Sequence, residues 1–244
     1  MRGAAEANSE PRQRNWIPRC ARNRLRQRRR WAFFSGLLIA LWYALLLIHN
    51  EDLPGHASLK AYLHGKLFHS ARIGSSGAQK GRGKRVVYVM GGSQEFLPFR
   101  FKTAALVYKE GLAGRVMILK EESITEYDPA LKRNLTKTEW QVKKLVSLGV
   151  KAQDIEAIEA AEGMFGTLSE ADAVSVYARK NKLEALLIVS SPYHTERVWQ
   201  AFSNRMKDGK IGLFIHPSED TIYLKALIAE YFKLQIYGLV LLAA

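Results

Sequence analysis

The chain has 244 residues and a formal net charge of +14, enough length for one ordinary domain of about 150–170 residues plus a separate leader. The charge is uneven: residues 1–30 hold ten Arg against Glu6 and Glu10, residues 51–85 hold seven Lys or Arg against Glu51 and Asp52, and residues 86–244 hold 20 basic and 19 acidic side chains. A nearly neutral folded part argues against nucleic acid as a partner, since phosphate-backbone affinity needs clustered Lys and Arg; a single cysteine, Cys20, excludes a disulfide within the chain, and no Cys or His cluster has metal-ligand spacing.

In chain order, residues 1–30 read as a basic cytoplasmic N-terminus. From Trp31 to Asn50 no formally charged residue occurs for twenty positions, close to the length of a helix that crosses a bilayer. A buried helix of a soluble protein normally carries a polar stripe, and this segment offers only Ser35, His49 and Asn50 as clearly polar positions. Arg22, Arg24, Arg26, Arg28, Arg29 and Arg30 precede it and Glu51 and Asp52 follow it, so the positive-inside rule predicts a cytoplasmic N-terminus and an extracytoplasmic domain. The competing reading is a secretory signal cleaved near Gly55-His56-Ala57, but the apolar run is long for an h-region of about 7–15 residues. An uncleaved single-pass anchor over 31–50 is expected, with the lipid bilayer as its partner. Residues 51–84, with Gly55, Gly65, Gly74, Gly77, Gly81 and Gly83 among scattered Lys and Arg, read as a linker.

Residues 85–244 then alternate in pattern. The run Val86-Val87-Tyr88-Val89-Met90 predicts a strand ending in Gly91-Gly92-Ser93, followed by a helix over about 98–111. Arg115–Leu119 predicts a second strand, Trp140–Leu148 a helix stopped by Gly149, Ile155–Ile158 a short strand and Leu168–Lys180 another helix. Leu186–Val189 is the clearest buried strand, with a turn at Ser190-Ser191-Pro192 and a helix through Val198 and Trp199. Leu213–Ile215 leads to a last helix from about Thr221, whose end, Leu234–Ala244, is too short for a second span and suits a segment lying against the domain or the membrane surface. The fold class expected is α/β: a Rossmann-like, mostly parallel sheet with helices on both faces, preceded by one transmembrane helix.

In such sheets ligands bind beyond the carboxyl ends of the strands. Gly91, Gly92 and Ser93 can bring backbone N–H groups to an anion at the next helix, or form only a tight turn, since neither G-x-G-x-x-G nor G-K-[ST] is present. Arg100 and Arg197 suit bidentate clamping of phosphate or carboxylate, and His194 suits acid or base work near neutral pH. Thr167 and Glu170 fall at a helix start, where capping and function are both open. Ser191 and Tyr193 share the turn with His194.

The combination of Gly91-Gly92-Ser93, Arg100 before Ala104-Ala105-Leu106, Gly149-Val150, the segment Glu162-Gly163-Met164-Phe165-Gly166-Thr167-Leu168-Ser169-Glu170-Ala171 and Ser190-Ser191-Pro192-Tyr193-His194-Thr195-Glu196-Arg197 resembles domain-of-unknown-function family 218, the SanA/YdcF/ElyC-like proteins. The similarity spans roughly residues 86–206. It departs after the second strand, where the family often has Ser-Gly-Gly and this chain has Glu121-Glu122-Ser123, and at Gly166, where Asn or Arg is usual. The resemblance implies a cell-envelope protein affecting barrier integrity or cell-wall-related metabolism. One soluble member of the family binds S-adenosylmethionine; this sequence itself assigns no cofactor. The expected ligand is an anionic small molecule or lipid phosphate, phosphate-bearing or nucleotide-like, held by Gly91, Gly92, Ser93, Arg100, Thr167, Ser191, Tyr193 and Arg197. A hydrolase or transferase using His194 and Glu170, and a non-catalytic interaction module, are the alternatives. Asn134-Leu135-Thr136 is a glycosylation sequon usable only in a eukaryotic secretory lumen; the expected location is the bacterial plasma membrane.

Overall fold

The computed structural model describes residues 19–71, 82–161 and 166–243, with side chains over 34–71, 83–161 and 166–241. The chain divides into two compact units, one to His56 and one from Ala57. The first contains helix α1 (Arg19–His49). From Phe34 onward its apolar side chains face outward, among them Leu38, Ile39 and Trp42, each about two-thirds exposed. Among the described residues no helix is long and apolar enough to cross a membrane; the stretch from Phe34 to His49 alone is shorter than a bilayer crossing. The cleavage site considered at Gly55-His56-Ala57 runs into a helix that begins at His56.

The second unit is built on a five-stranded parallel sheet. In chain order its elements are α2 (His56–Leu67), β1 (Arg85–Val89), α3 (Leu97–Lys109), β2 (Arg115–Leu119), β3 (Ile124–Asp128), β4 (Arg133–Thr136), α4 (Lys137–Ser147), β5 (Ile155–Ile158), α5 (Gly166–Lys180), β6 (Ala185–Ser190), α6 (Thr195–Arg205), β7 (Gly212–Pro217) and α7 (Leu224–Ala243). The sheet order is β5-β2-β1-β6-β7, with Val87 beside Val116 on one side and Leu187 on the other. The chain therefore winds outward from β1 in one direction and returns to wind the other way from β6. This is the Rossmann-like α/β arrangement, and its order reverses between β1 and β6.

Strand alternation sorts the core into two faces. Val87, Val89, Leu187 and Val189 pack with Phe101 of α3 and with Trp140 and Leu145 of α4. Val86, Tyr88, Leu186 and Ile188 pack with Ala171 and Val174 of α5 and with Val198 and Phe202 of α6. All of β6 is buried, which explains its uninterrupted apolar run: a central parallel strand has no solvent face.

Two elements differ from the expectation. Residues 51–84 are not a linker throughout, because α2 packs Leu63 and Leu67 against Tyr193 and against Leu224, Leu227 and Leu234 of α7. The chain then joins β7 through an isolated bridge of Ala71 to Ile215, while Gly74, Gly77 and Gly81 lie outside the described residues. Between β2 and α4 the chain forms the antiparallel pair β3–β4. β4 ends at Thr136, whose hydroxyl accepts from Glu139 N while the Glu139 carboxylate accepts from Thr136 N. This capping box starts α4 three residues before Trp140. Arg133 also pairs with Glu139, and these hydrogen bonds, Arg133 first, hold its pKa down to about 2.

Leu187, fully buried in the central strand, should lose about 2–5 kcal/mol of stability as Leu187→Ala. Val176→Ala, on the exposed face of α5, should stay within about 0.5 kcal/mol. Urea unfolding of the full chain in detergent compares the two.

Candidate functional site

At the reversal point the ends of β1 and β6 are tied by one side chain. Arg100, on the first turn of α3 and only 4% exposed, donates from Nη1 to the carbonyl oxygens of Met90, at 2.8 Å, and of Gly91. Its Nε and Nη2 donate to Ser191 Oγ at 3.3 and 2.8 Å. Ser191 in turn donates to Asp220, which also accepts from Ser218 Oγ at 2.5 Å, and Ser218 N donates to Ser190 O at 2.9 Å. Burial lowers the Arg100 pKa, opposed by the Asp220 charge. Arg100 was expected to clamp a ligand; four of its five N–H groups are spent on the protein, so it acts as an internal tie. Ser191, fully buried beside it, is part of the same tie.

The glycine turn is likewise occupied from within. Gly91 N donates to Glu170 Oε2 at 3.0 Å, and Tyr88 Oη donates to the same oxygen at 2.5 Å. A Cβ on Gly91 would lie 3.1 Å from Glu170 Oε1, and one on Gly92 would lie 2.9 Å from Arg100 Nη1. At Gly92 the positive φ of 156° already disfavours a side chain, while at Gly91 a Cβ would require the Glu170 carboxylate to give way by a few tenths of an ångström. A carboxylate thus holds the Gly91 N–H that was expected to meet an anion. Burial raises the Glu170 pKa against the lowering effect of those two hydrogen bonds.

The polar side chains that remain converge on a cavity of about 380 Å³ bordered by Gly91, Gly92, Thr167, Glu170, His194 and Arg197, with Lys233, Ile236 and Tyr237 of α7. Thr167, in the first turn of α5, accepts from Arg197 Nη1 at 2.5 Å. His194 ends the short 3₁₀ turn Pro192–His194, with Nδ1 3.2 Å from Ser190 Oγ and Nε2 3.4 Å from Thr167 Oγ1. Arg197 pairs with Glu230 through Nη2 at 2.9 Å and Nε at 3.0 Å, lies 4.8 Å from the Tyr237 ring centre, and shares Glu230 with Lys233. Desolvation first, then the Arg197, Arg100 and Lys233 charges, lowers the His194 pKa well below the ordinary value. The imidazole is therefore neutral at pH 7, and the desolvation and cations that keep it neutral also weaken it as a base.

A second cavity, of about 590 Å³, adjoins the first and shares Gly166 and Glu170 with it. It is bordered by the ends of β2 and β5, including Glu121, Glu122, Ser123 and Glu159. Lys120 bonds Glu159 at 2.7 Å and Lys137 bonds Glu121 at 2.6 Å, yet carboxylates outnumber cations on its wall, so an anion is disfavoured there.

Six of the ten predicted site residues, Gly91, Gly92, Thr167, Glu170, His194 and Arg197, border the first cavity. Four do not. Ser93 is exposed in the turn, Arg100 and Ser191 form the internal tie, and Tyr193 is buried among α2 and α7. The sequence reading missed Glu230, Lys233 and Tyr237, because α7 reads as an ordinary apolar helix; the spacing of Glu230, Lys233 and Tyr237 on one face was the available signal. Among the described residues no group of His, Cys, Asp and Glu can hold a metal ion. The sequence matches no protein-family model and no curated protein.

Two outcomes follow from this geometry. Arg100→Lys keeps the charge but cannot reach both strand ends at once, and should cost roughly 1–3 kcal/mol in urea unfolding. For His194 the depressed pKa means that the unfolded chain takes up a proton before the folded one. Its contribution to stability is complete above about pH 6.5 and is lost as pH falls below it. His194→Asn should therefore flatten the acid limb of a stability–pH curve below about pH 6.5 relative to the parent, whereas Glu170, with its raised pKa, contributes in the opposite sense.

Proposed function

We propose that this chain is a membrane-anchored cell-envelope factor, of the family 218 kind, whose cavity binds a phosphate-bearing or nucleotide-like ligand. The observation that carries the reading is the meeting, at the sheet's reversal point, of Thr167 in the first turn of α5 with Arg197 and Lys233. The N–H groups of a helix's first turn have no partner within the helix, and together with a hydroxyl and two cations they match phosphate oxygens. Glu230 offsets part of the charge of both Arg197 and Lys233, and Lys233, the more exposed of the two cations, is the one a ligand phosphate can reach with least rearrangement. The adjoining cavity, with Glu121, Ser123 and Glu159, suits hydroxyl groups such as those of a sugar, which donate to carboxylates. Anchoring is supported by the twenty uncharged positions from Trp31 to Asn50 and by the outward-facing apolar side chains of α1; the Arg-rich flank supports a cytoplasmic N-terminus.

A catalytic version of the same site draws support from geometry, the His194 imidazole lying 3.4 Å from the Thr167 hydroxyl; a bound phosphate would offset the cations that otherwise weaken this imidazole as a base. There His194 accepts a proton from a hydroxyl at the cavity while Arg197 and Lys233 hold the phosphate charge. Turnover retained in His194→Ala would remove that version and leave binding intact.

Thermal stabilisation of the full chain in detergent, measured against inorganic phosphate, nucleotides and S-adenosylmethionine, tests the binding reading. At least one phosphate compound should raise the melting temperature, and Lys233→Ala and Thr167→Val should each weaken the response about tenfold. A parent protein indifferent to every phosphate compound would sink it.

A further inference from the structure

The C-terminal helix is apolar on two sides, and only one is covered. Leu224, Leu227, Leu234 and Tyr237 of α7 are buried against α2, Tyr193 and the sheet. On the opposite side Phe232, Ile236 and Leu239, spaced four and three residues apart, form one stripe, exposed by 63%, 50% and 69%. Lys225 falls two turns before Phe232 on the same stripe and is exposed. Exposing three large apolar side chains in register is costly in water and marks a surface that meets another apolar phase.

The position of the stripe decides what that phase is. Ile236 belongs both to the stripe and to the border of the phosphate-binding cavity, and Lys233, one turn from Tyr237, borders the cavity beside it. A molecule with its phosphate at Thr167, Arg197 and Lys233 can thus leave the cavity over Ile236 and continue along Phe232 and Leu239 on apolar surface. A free nucleotide has nothing to place there. We infer that the ligand of this site is a lipid monophosphate, with its headgroup in the cavity and its hydrocarbon chain lying along the exposed stripe of α7.

This rests on the phosphate-binding reading, and the test separates the two. The full chain in a neutral detergent is titrated with inorganic phosphate, farnesol and farnesyl phosphate, and binding is read from thermal stabilisation. Farnesyl phosphate should bind roughly tenfold or more tighter than inorganic phosphate, since burying even two methylene groups supplies that factor. Phe232→Gln and Leu239→Gln, neither of which borders the cavity, should lose this advantage and keep the response to inorganic phosphate. An advantage that persists in both variants, or no advantage in the parent, overturns the lipid assignment while leaving phosphate binding in place. Equal responses to farnesol and farnesyl phosphate would mean apolar adsorption alone and would overturn it too. No response to either phosphate compound overturns the lipid assignment, and if nucleotides give none either, the phosphate-binding reading falls with it.

Discussion

The arrangement depends on a buried cation holding two strand ends together. Parallel strands at a reversal point diverge beyond their last hydrogen bonds, because the crossovers leaving them run to opposite faces. Arg100 spans that gap, with the Met90 and Gly91 carbonyls on one side and Ser191 on the other, and Asp220 completes the charge balance through Ser191. A buried guanidinium is tolerable only when most of its donors are met, and this geometry meets them. The tie fixes the turn after β1 and the turn after β6 relative to one another, and so fixes Gly91 relative to His194.

A second charged group is used in the same way on the other side of the turn. Glu170 reaches from α5 to the Gly91 N–H and the Tyr88 hydroxyl, so α5 is held to β1 by a carboxylate just as α3 is held to it by a guanidinium. Thr167, one turn earlier on α5, is thereby positioned over Arg197. The polar groups at the strand ends divide into those that support and those that face the cavity. Residue type alone does not separate them: Arg100 supports and Arg197 borders the opening, though both are Arg and both are buried.

That division shows where sequence was informative. The apolar runs of β1, β2 and β6 and the strand–helix alternation are direct consequences of burial on both sheet faces, so the Rossmann-like class was legible from them. So was the convergence of Gly91, Thr167 and His194, because all three lie at the carboxyl end of the sheet or on the turns above it. The role of Arg100 was not, since a clamp on a ligand and a clamp on a carbonyl need the same residue. The α2 helix escaped notice because its apolar face is short and Gly65 interrupts it; it is stabilised by contacts with α7, far away in sequence. The β3–β4 pair was hidden because its pattern inverts the usual one, with Ile124 and Tyr127 exposed and Asp128 buried in β3 and Leu135 alone fully buried along β4.

The bridge between Ala71 and Ile215 has a further consequence. β7 is the last strand on its side of the sheet, and the outer edge of such a strand offers unpaired N–H and C=O groups that can template a strand from another molecule. Ile215 spends both groups on Ala71, donating at 2.9 Å and accepting at 3.3 Å. A two-bond patch in the second half of a six-residue strand leaves no run long enough to pair stably with a neighbour. The segment leading into the sheet therefore covers part of an edge that would otherwise stand open to another strand.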